Sequence, residues 1–165
     1  MIYMMRLLIV LLLAFPFAAS SAATLTGRTV RVTDGDTIVI LSEGNVQHKI
    51  RLQGIDAPER GQAYGTKSKE HLSEWVAGRF VVVKTDKRDR YGRVIGKVLV
   101  GGTDVCLAQI IAGFAWHYKK YQNEQTASDR QRYADAEKEA RDAKRGLWQD
   151  PQAIPPWDYR AARRK

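Results

Sequence analysis

Val32-Thr33-Asp34-Gly35-Asp36-Thr37-Ile38-Val39-Ile40 (VTDGDTIVI) sets two carboxylates around one glycine in an otherwise strand-forming run. Val30, Val32, Asp34, Asp36, Ile38 and Ile40 share one phase of a two-residue repeat, so an unbroken strand over Thr29 to Leu41 carries both aspartates on its apolar face. Partly desolvated carboxylates that close together repel, and a bound cation or an arginine is what offsets the cost. The stretch therefore predicts a strand and, with it, a positive partner.

Outward from it, Val46 to Gln53, Phe80 to Thr85, Val94 to Val100 and Thr103 to Val105 are further short β-branched runs separated by Gly, Asn and Asp. Several short strands of this kind predict a small barrel. The tetrad Ser42-Glu43-Gly44-Asn45 is expected to close the first hairpin and Gly101-Gly102 the last. Helical patterns cover Ala63 to Ala77, Val105 to Ala112 and Thr126 to Arg145, each stopped by a glycine. In the third, Tyr133, Ala136, Ala140 and Ala143 form a packing stripe on a charged helix, which reads as scaffold. The proline-rich Pro151 to Trp157 (PQAIPPW) is expected to lie extended across the surface, with Trp148 and Trp157 as packing anchors.

The chain opens MIYMMRLLIVLLLAFPFAASSAATLTG: one cation at Arg6, an apolar run from Leu7 to Phe17, then small residues. That order predicts a secretory signal peptide over residues 1–23, cleaved after Ala22 or Ala23, because Pro16 interrupts a run too short to span a bilayer. The remainder suits one domain over 24–150 and a proline-rich, basic tail over 151–165. Cys106, the only cysteine, lies among Val105, Leu107 and Ile110 and reads as buried structure, since a lone thiol forms no internal disulfide. Basic residues outnumber acidic ones 27 to 18, for a net charge of +9. A polyanionic partner fits that excess, as does simple solubility, and Arg160, Arg163, Arg164 and Lys165 read as a solvated end.

The charge partners come one strand later, in Arg51-Leu52-Gln53-Gly54-Ile55-Asp56-Ala57-Pro58-Glu59 (RLQGIDAPE), where Pro58 stiffens a turn between two acids. Asp36 and Asp56 with main-chain carbonyls and water suit a hard, oxygen-preferring ion such as Ca²⁺, and no histidine or cysteine cluster points to zinc. Asp86-Lys87-Arg88-Asp89-Arg90-Tyr91-Gly92-Arg93 (DKRDRYGR) is a charged turn, an ordinary surface feature when taken alone.

Taken in order, DGDT, RLQGIDAPE, DRYGR and a C-terminal GLW resemble the staphylococcal nuclease-like (thermonuclease) family over roughly Leu25 to Pro156. The resemblance implies an α+β fold, a five-stranded Greek-key OB barrel with three helices. It also implies that Asp36, Asp56 and the Ala57 carbonyl bind Ca²⁺, with Asp34 a supporting acid; the family often has threonine where Ala57 stands. Arg51 and Arg93 match its phosphate-clamping arginines, and Glu59 the carboxylate that activates or orients the attacking water. Tyr91 and, less directly, Tyr118 or Tyr121 match substrate-facing tyrosines, though core packing explains the last two equally well. A long lysine-rich insertion of some relatives is missing after Glu59. The implied function is an exported, calcium-dependent nuclease, periplasmic or extracellular, cutting DNA and RNA with low sequence specificity to leave 3′-phosphate ends. A non-catalytic OB-fold nucleic-acid binder is the alternative. A membrane-active role is disfavoured by the charge mosaic of Tyr133 to Arg145, so no stable membrane association is expected once the signal is removed, and a monomer is the default.

Overall fold

A computed structural model describes residues 23–164; the expected signal peptide falls almost entirely outside them. The first strand, β1 (Ala23–Asp34), runs antiparallel to β2 (Thr37–Leu41), with Asp34 opposite Thr37. VTDGDTIVI is therefore not one strand but a hairpin, turned at Gly35-Asp36. This corrects the expectation of a continuous strand, and with it the role of Ser42 to Asn45, which turns the second hairpin, from β2 to β3 (Gln47–Leu52). The misreading has a structural cause: a two-residue turn pairs Asp34 with Thr37 and would invert the alternation, but a register shift between Val32 and Asp34 pairs Val32 with Ile38 and restores it. The signal that marks the turn is Asp34-Gly35, an Asp-Gly pair between β-branched runs.

After a short β4 (Ile55–Asp56) and helix α1 (Gly65–Val76), β5 (Phe80–Arg88) returns along β1, and β6 (Val94–Val100) pairs with β5. β6 also pairs in parallel with β3, Ile50 opposite Val94, and this closes the ring β1-β2-β3-β6-β5 into a five-stranded barrel. The Gly101-Gly102 turn leads to β7 (Thr103–Asp104), both glycines having positive φ as a tight hairpin turn requires. Helix α2 (Val105–Ile111) follows, capped by the Asp104 carboxylate.

The barrel interior is filled by Ile38, Ile40, Ile50, Leu52, Val83 and Val98, and α1 and α2 seal it with Leu72, Val76 and Ile110, all at most 1% exposed. β8 (Trp116–His117) pairs with β4 and leads to α3 (Ala127–Asp142), whose buried face is Tyr133, Ala136, Glu137 and Ala140; Ala143, expected in that stripe, is exposed. Cys106 is buried, and its thiol is pushed far up by desolvation, so it is inert.

The tail departs from expectation. Pro151 to Pro155 carries no helix or strand, but a fourth helix, α4 (Pro156–Ala162), follows at once, with a proline in its first turn where the missing N–H costs nothing. Trp157 stacks on Tyr118 (5.5 Å, 21°) and meets Trp116 edge-on at 6.4 Å, while Trp148 meets Trp116 at 5.0 Å.

Candidate active site

Three elements bring the acids together. The Gly35-Asp36 turn is pinned from below: Gln109, fully buried on α2, donates to the Gly35 carbonyl at 2.7 Å and to the Ser68 carbonyl at 3.1 Å. A Cβ on Gly35 would lie 1.9 Å from Ser68 Oγ, so only glycine lets the turn sit this close to α1. Asp36 is fixed further by its own contacts, for its Oδ2 accepts the Ala57 N–H at 2.8 Å and its Oδ1 accepts the Thr37 hydroxyl at 3.0 Å. β3 supplies Arg51, directly across from Thr37. β4 supplies Asp56, and the turn after it supplies Glu59, whose N–H donates to Gln62 Oε1 at 3.0 Å.

Arg51 joins the two aspartates. Its Nη1 lies 2.5 Å from Asp36 Oδ2 and its Nη2 donates to Asp56 Oδ1 at 2.8 Å. Burial alone would lower this guanidinium, but the Asp36, Asp56 and Asp34 carboxylates outweigh it, so Arg51 stays charged. Nη1 is sealed from solvent, yet no described group accepts from it in hydrogen-bond geometry. Its charge is matched by the Asp36 carboxylate 2.5 Å away, and the guanidinium lines the same cleft as both acids.

Asp34 lies behind this pair and accepts the Asp36 N–H at 3.2 Å. Desolvation, then the charge of Asp36, pushes its carboxyl up to about 7. Near neutral pH it is therefore partly protonated, a brace rather than a full charge. Glu59 is the exposed member of the group, its side chain 37% accessible.

One functional side chain was misassigned from sequence. Arg160, read as part of a solvated end, reaches into the site from α4: its Nη1 donates to Glu59 Oε1 at 2.6 Å and Asp56 Oδ1 at 3.2 Å, and its Nη2 to Asp56 Oδ2 at 2.8 Å. The only sequence cue is Pro155-Pro156, which can open a helix as well as end one.

Arg93 and Tyr91 make no hydrogen bond or ion pair to this cluster, but they line the same cleft of about 670 Å³, together with Asp36, Arg51, Asp56, Glu59 and Tyr118. The Arg93 Nε donates to Asp89 Oδ2 at 2.7 Å and its guanidinium sits 5.7 Å from the Tyr91 ring, which is itself 68% exposed. Tyr118 divides its contacts between Trp157 and Tyr121 (5.4 Å, edge-on), so its ring is largely spent on packing.

The donor set fits a hard cation. Four carboxylates (Asp34, Asp36, Asp56, Glu59) face two guanidiniums, which leaves negative charge uncompensated even with Asp34 protonated. Among the described residues no three His, Cys, Asp or Glu side chains converge as metal ligands, so an ion here rests on Asp36, Asp56, main-chain oxygen and water. The Ala57 carbonyl accepts no hydrogen bond from any described residue and is free for that role. Few protein ligands, all oxygen, suit Ca²⁺ or Mg²⁺ and not zinc.

Comparison with known proteins agrees with this chemistry. The family model described as "Staphylococcal nuclease homologue" matches residues 49–150. An "uncharacterized endonuclease" of Escherichia coli is 42% identical over 139 residues, 84% of this chain and 86% of that protein. A "micrococcal nuclease" of Shigella flexneri is 38% identical over 149 residues, 85% of this chain and 83% of the relative. A further "uncharacterized endonuclease", from Haemophilus influenzae, is 37% identical over 155 residues, 93% and 84% of the two chains.

Proposed function

We propose, from the premise that the chain belongs to the staphylococcal nuclease family and is a nuclease hydrolysing phosphodiesters of nucleic acid, that it is a calcium-dependent enzyme cutting DNA and RNA with little sequence preference. The observation that carries this is the convergence of Asp36, Asp56 and Arg51 at one end of a cleft that also exposes Glu59. On this reading Asp36, Asp56 and the Ala57 carbonyl hold Ca²⁺, which when bound lends Lewis-acid polarisation to a phosphate oxygen.

The chain's own residues do the rest. Arg51, which lines the cleft, binds a non-bridging phosphate oxygen, and its fork stabilises the extra negative charge that develops at five-coordinate phosphorus better than it stabilises the ground state. Glu59, the accessible carboxylate, accepts a hydrogen bond from the attacking water and orients it or takes its proton. Arg93, lining the same cleft, meets the same phosphate once substrate draws it from Asp89, and Tyr91 offers an exposed ring to the neighbouring nucleotide. Low sequence preference follows because every group named addresses backbone phosphate or a π-face. We assign 3′-phosphate products, from loss of the 5′-oxygen as leaving group.

The test incubates purified full-chain protein with plasmid, single-stranded DNA and RNA, in Ca²⁺ or in chelator. Cutting in Ca²⁺ alone is expected, with ends that a polymerase extends only after phosphatase treatment. Activity that survives chelation, or ends extended without phosphatase, refutes the calcium or product assignment. Binding without cutting, equal in wild type and Glu59→Gln, would leave only the non-catalytic binder.

We further propose export, supported by the cation, apolar run and small residues of the N-terminal segment. Among the described residues no helix is long and apolar enough to cross a membrane. Intact-mass measurement on protein recovered from outside the cytoplasm should give a chain starting at Ala23 or Thr24; a chain retaining Met1 in the cytoplasm overturns export.

A further inference from the structure

Arg160 lies beyond the residues matched by the family model, yet it is built into the site. α4 has seven residues, too few to be helical unaided, so its position comes from its anchors. Trp157 is clasped by Tyr118 and Trp116. Gln62 ties the approach to the helix by donating to the Ile154 carbonyl at 2.6 Å, and the same side chain accepts the Glu59 N–H at 3.0 Å. One glutamine thus fixes both the backbone of Glu59 and the path that leads to Arg160.

At the far end of that path, Arg160 spreads its fork across both oxygens of Asp56, whose side chain is 1% exposed, and still reaches Glu59. The bond to Asp56 compensates a buried carboxylate, but the bond to Glu59, whose side chain is 37% accessible, returns little net stability against the rotamer entropy of fixing both side chains. Stability therefore does not explain the reach to Glu59, whereas placing its carboxylate does. A glutamate side chain exposed at a cleft samples several rotamers, and a charge-assisted bond at 2.6 Å selects one of them.

We propose that Arg160 is a positioning residue of the nuclease site: α4 delivers it to hold the Glu59 carboxylate, together with Asp56, in the orientation that serves the attacking water. The inference deepens the phosphodiesterase reading and rests on it. Asp56 Oδ1 accepts two N–H groups, from Arg51 and Arg160, while Oδ2 accepts one, so a lone pair on Oδ2 stays available to a cation. The guanidinium also sets the charge seen by that cation, and its removal makes the site more negative. Positioning and cation affinity are therefore coupled with opposite sign.

The experiment compares full-chain wild type, Arg160→Ala, Arg160→Lys and Trp157→Ala. Steady-state cleavage of a short DNA gives kcat and KM, calorimetric titration with Ca²⁺ alone gives affinity, and melting gives Tm. For Arg160→Ala we expect kcat down by about 10–100-fold with KM within about threefold, since loss of orientation acts on the chemical step. Ca²⁺ should bind roughly three- to tenfold more tightly, as a nearby positive charge is gone. Arg160→Lys should recover part of kcat, one ammonium holding Glu59 without spanning Asp56. Trp157→Ala should resemble Arg160→Ala, because the helix loses its anchor. If Arg160→Ala cuts as fast as wild type or faster, Arg160 does not position the site, and faster cutting with tighter Ca²⁺ binding would make α4 an inhibitory plug. If kcat, Ca²⁺ affinity and Tm all fall together, α4 is only a structural prop. A wild type that binds Ca²⁺ but cuts nothing refutes the nuclease reading and this inference with it, whereas a cutting wild type matched by Arg160→Ala refutes the inference alone.

Discussion

Arg51→Lys is expected to lower kcat on DNA by roughly 10³–10⁵-fold, the range for removing an arginine that carries transition-state phosphate charge. The reason is geometric. Arg51 contacts Asp36 through one terminal nitrogen and Asp56 through the other, 2.5 and 2.8 Å away, and its guanidinium lines the cleft between them. An ammonium is a point charge on a flexible stem: it can satisfy one aspartate but cannot bridge two and still offer an N–H to phosphate. Lysine keeps the positive charge between the acids, so the fold should survive. Arg51→Ala would leave buried Asp36 without a cationic partner and Asp56 with Arg160 alone, at a cost of about 3–5 kcal/mol in metal-free protein. Single-turnover cleavage at saturating Ca²⁺, run beside thermal melts of both variants, separates chemistry from stability. Turnover of Arg51→Lys within tenfold of wild type would reduce Arg51 to a structural ion pair.

The second large effect divides two aspartates that sit two residues apart. Calorimetric titration should show Asp36→Asn losing well over 100-fold in Ca²⁺ affinity and Asp34→Asn losing about tenfold. Altering residues that brace a ligand costs 10–100-fold, and losing a carboxylate that touches the ion costs more. On the proposed reading Asp36 is the ligand, since its carboxylate lies beside Asp56 against Arg51 and the Ala57 N–H, whereas Asp34 accepts the Asp36 N–H and braces the backbone. Equal losses from the two substitutions would overturn that ordering. Asp34 adds a pH signature. Its proton is held in the fold up to about pH 7 but leaves the unfolded chain near 3.8, so in chelator, stability falls as pH rises between those values. Asp34→Asn should flatten that slope in pH-dependent melts, and an unchanged slope would show that burial of Asp34 does not set it.

What could be read from sequence followed from the range of the interaction. Barrel strands announce themselves locally, since β-branched runs such as Phe80 to Thr85 and Val94 to Val100 carry their own alternation, and a glycine follows each of α1, α2 and α3. Asp36, Arg51, Asp56 and Glu59 were legible because they occupy two short motifs, and the structure does bring them to one end of a cleft. Arg93 belongs to a third motif, and only the folded chain shows that it lines the same cleft while paired to Asp89. Two features escaped. The hairpin at Gly35 hid because the register shift between Val32 and Asp34 offsets the phase change of the two-residue turn, so the alternation reads as unbroken. Arg160 hid because its partners lie 104 and 101 positions earlier, and nothing local to a seven-residue helix after a proline run encodes so distant a contact.

The barrel closes by a parallel pair, β3 with β6, whose strands are separated by all of α1 and β5, and the last residue to join the site arrives from α4. Local hairpins can form early, but parallel closure must first meet the entropy of a long loop, and docking of the tail follows closure because its aromatic seat, Tyr118 and Trp116, lies past β6. The site is therefore assembled late, from segments spread over nearly the whole chain. A truncated or half-folded molecule holds the acids without the contacts that orient them, so full cutting power is expected only of the finished fold.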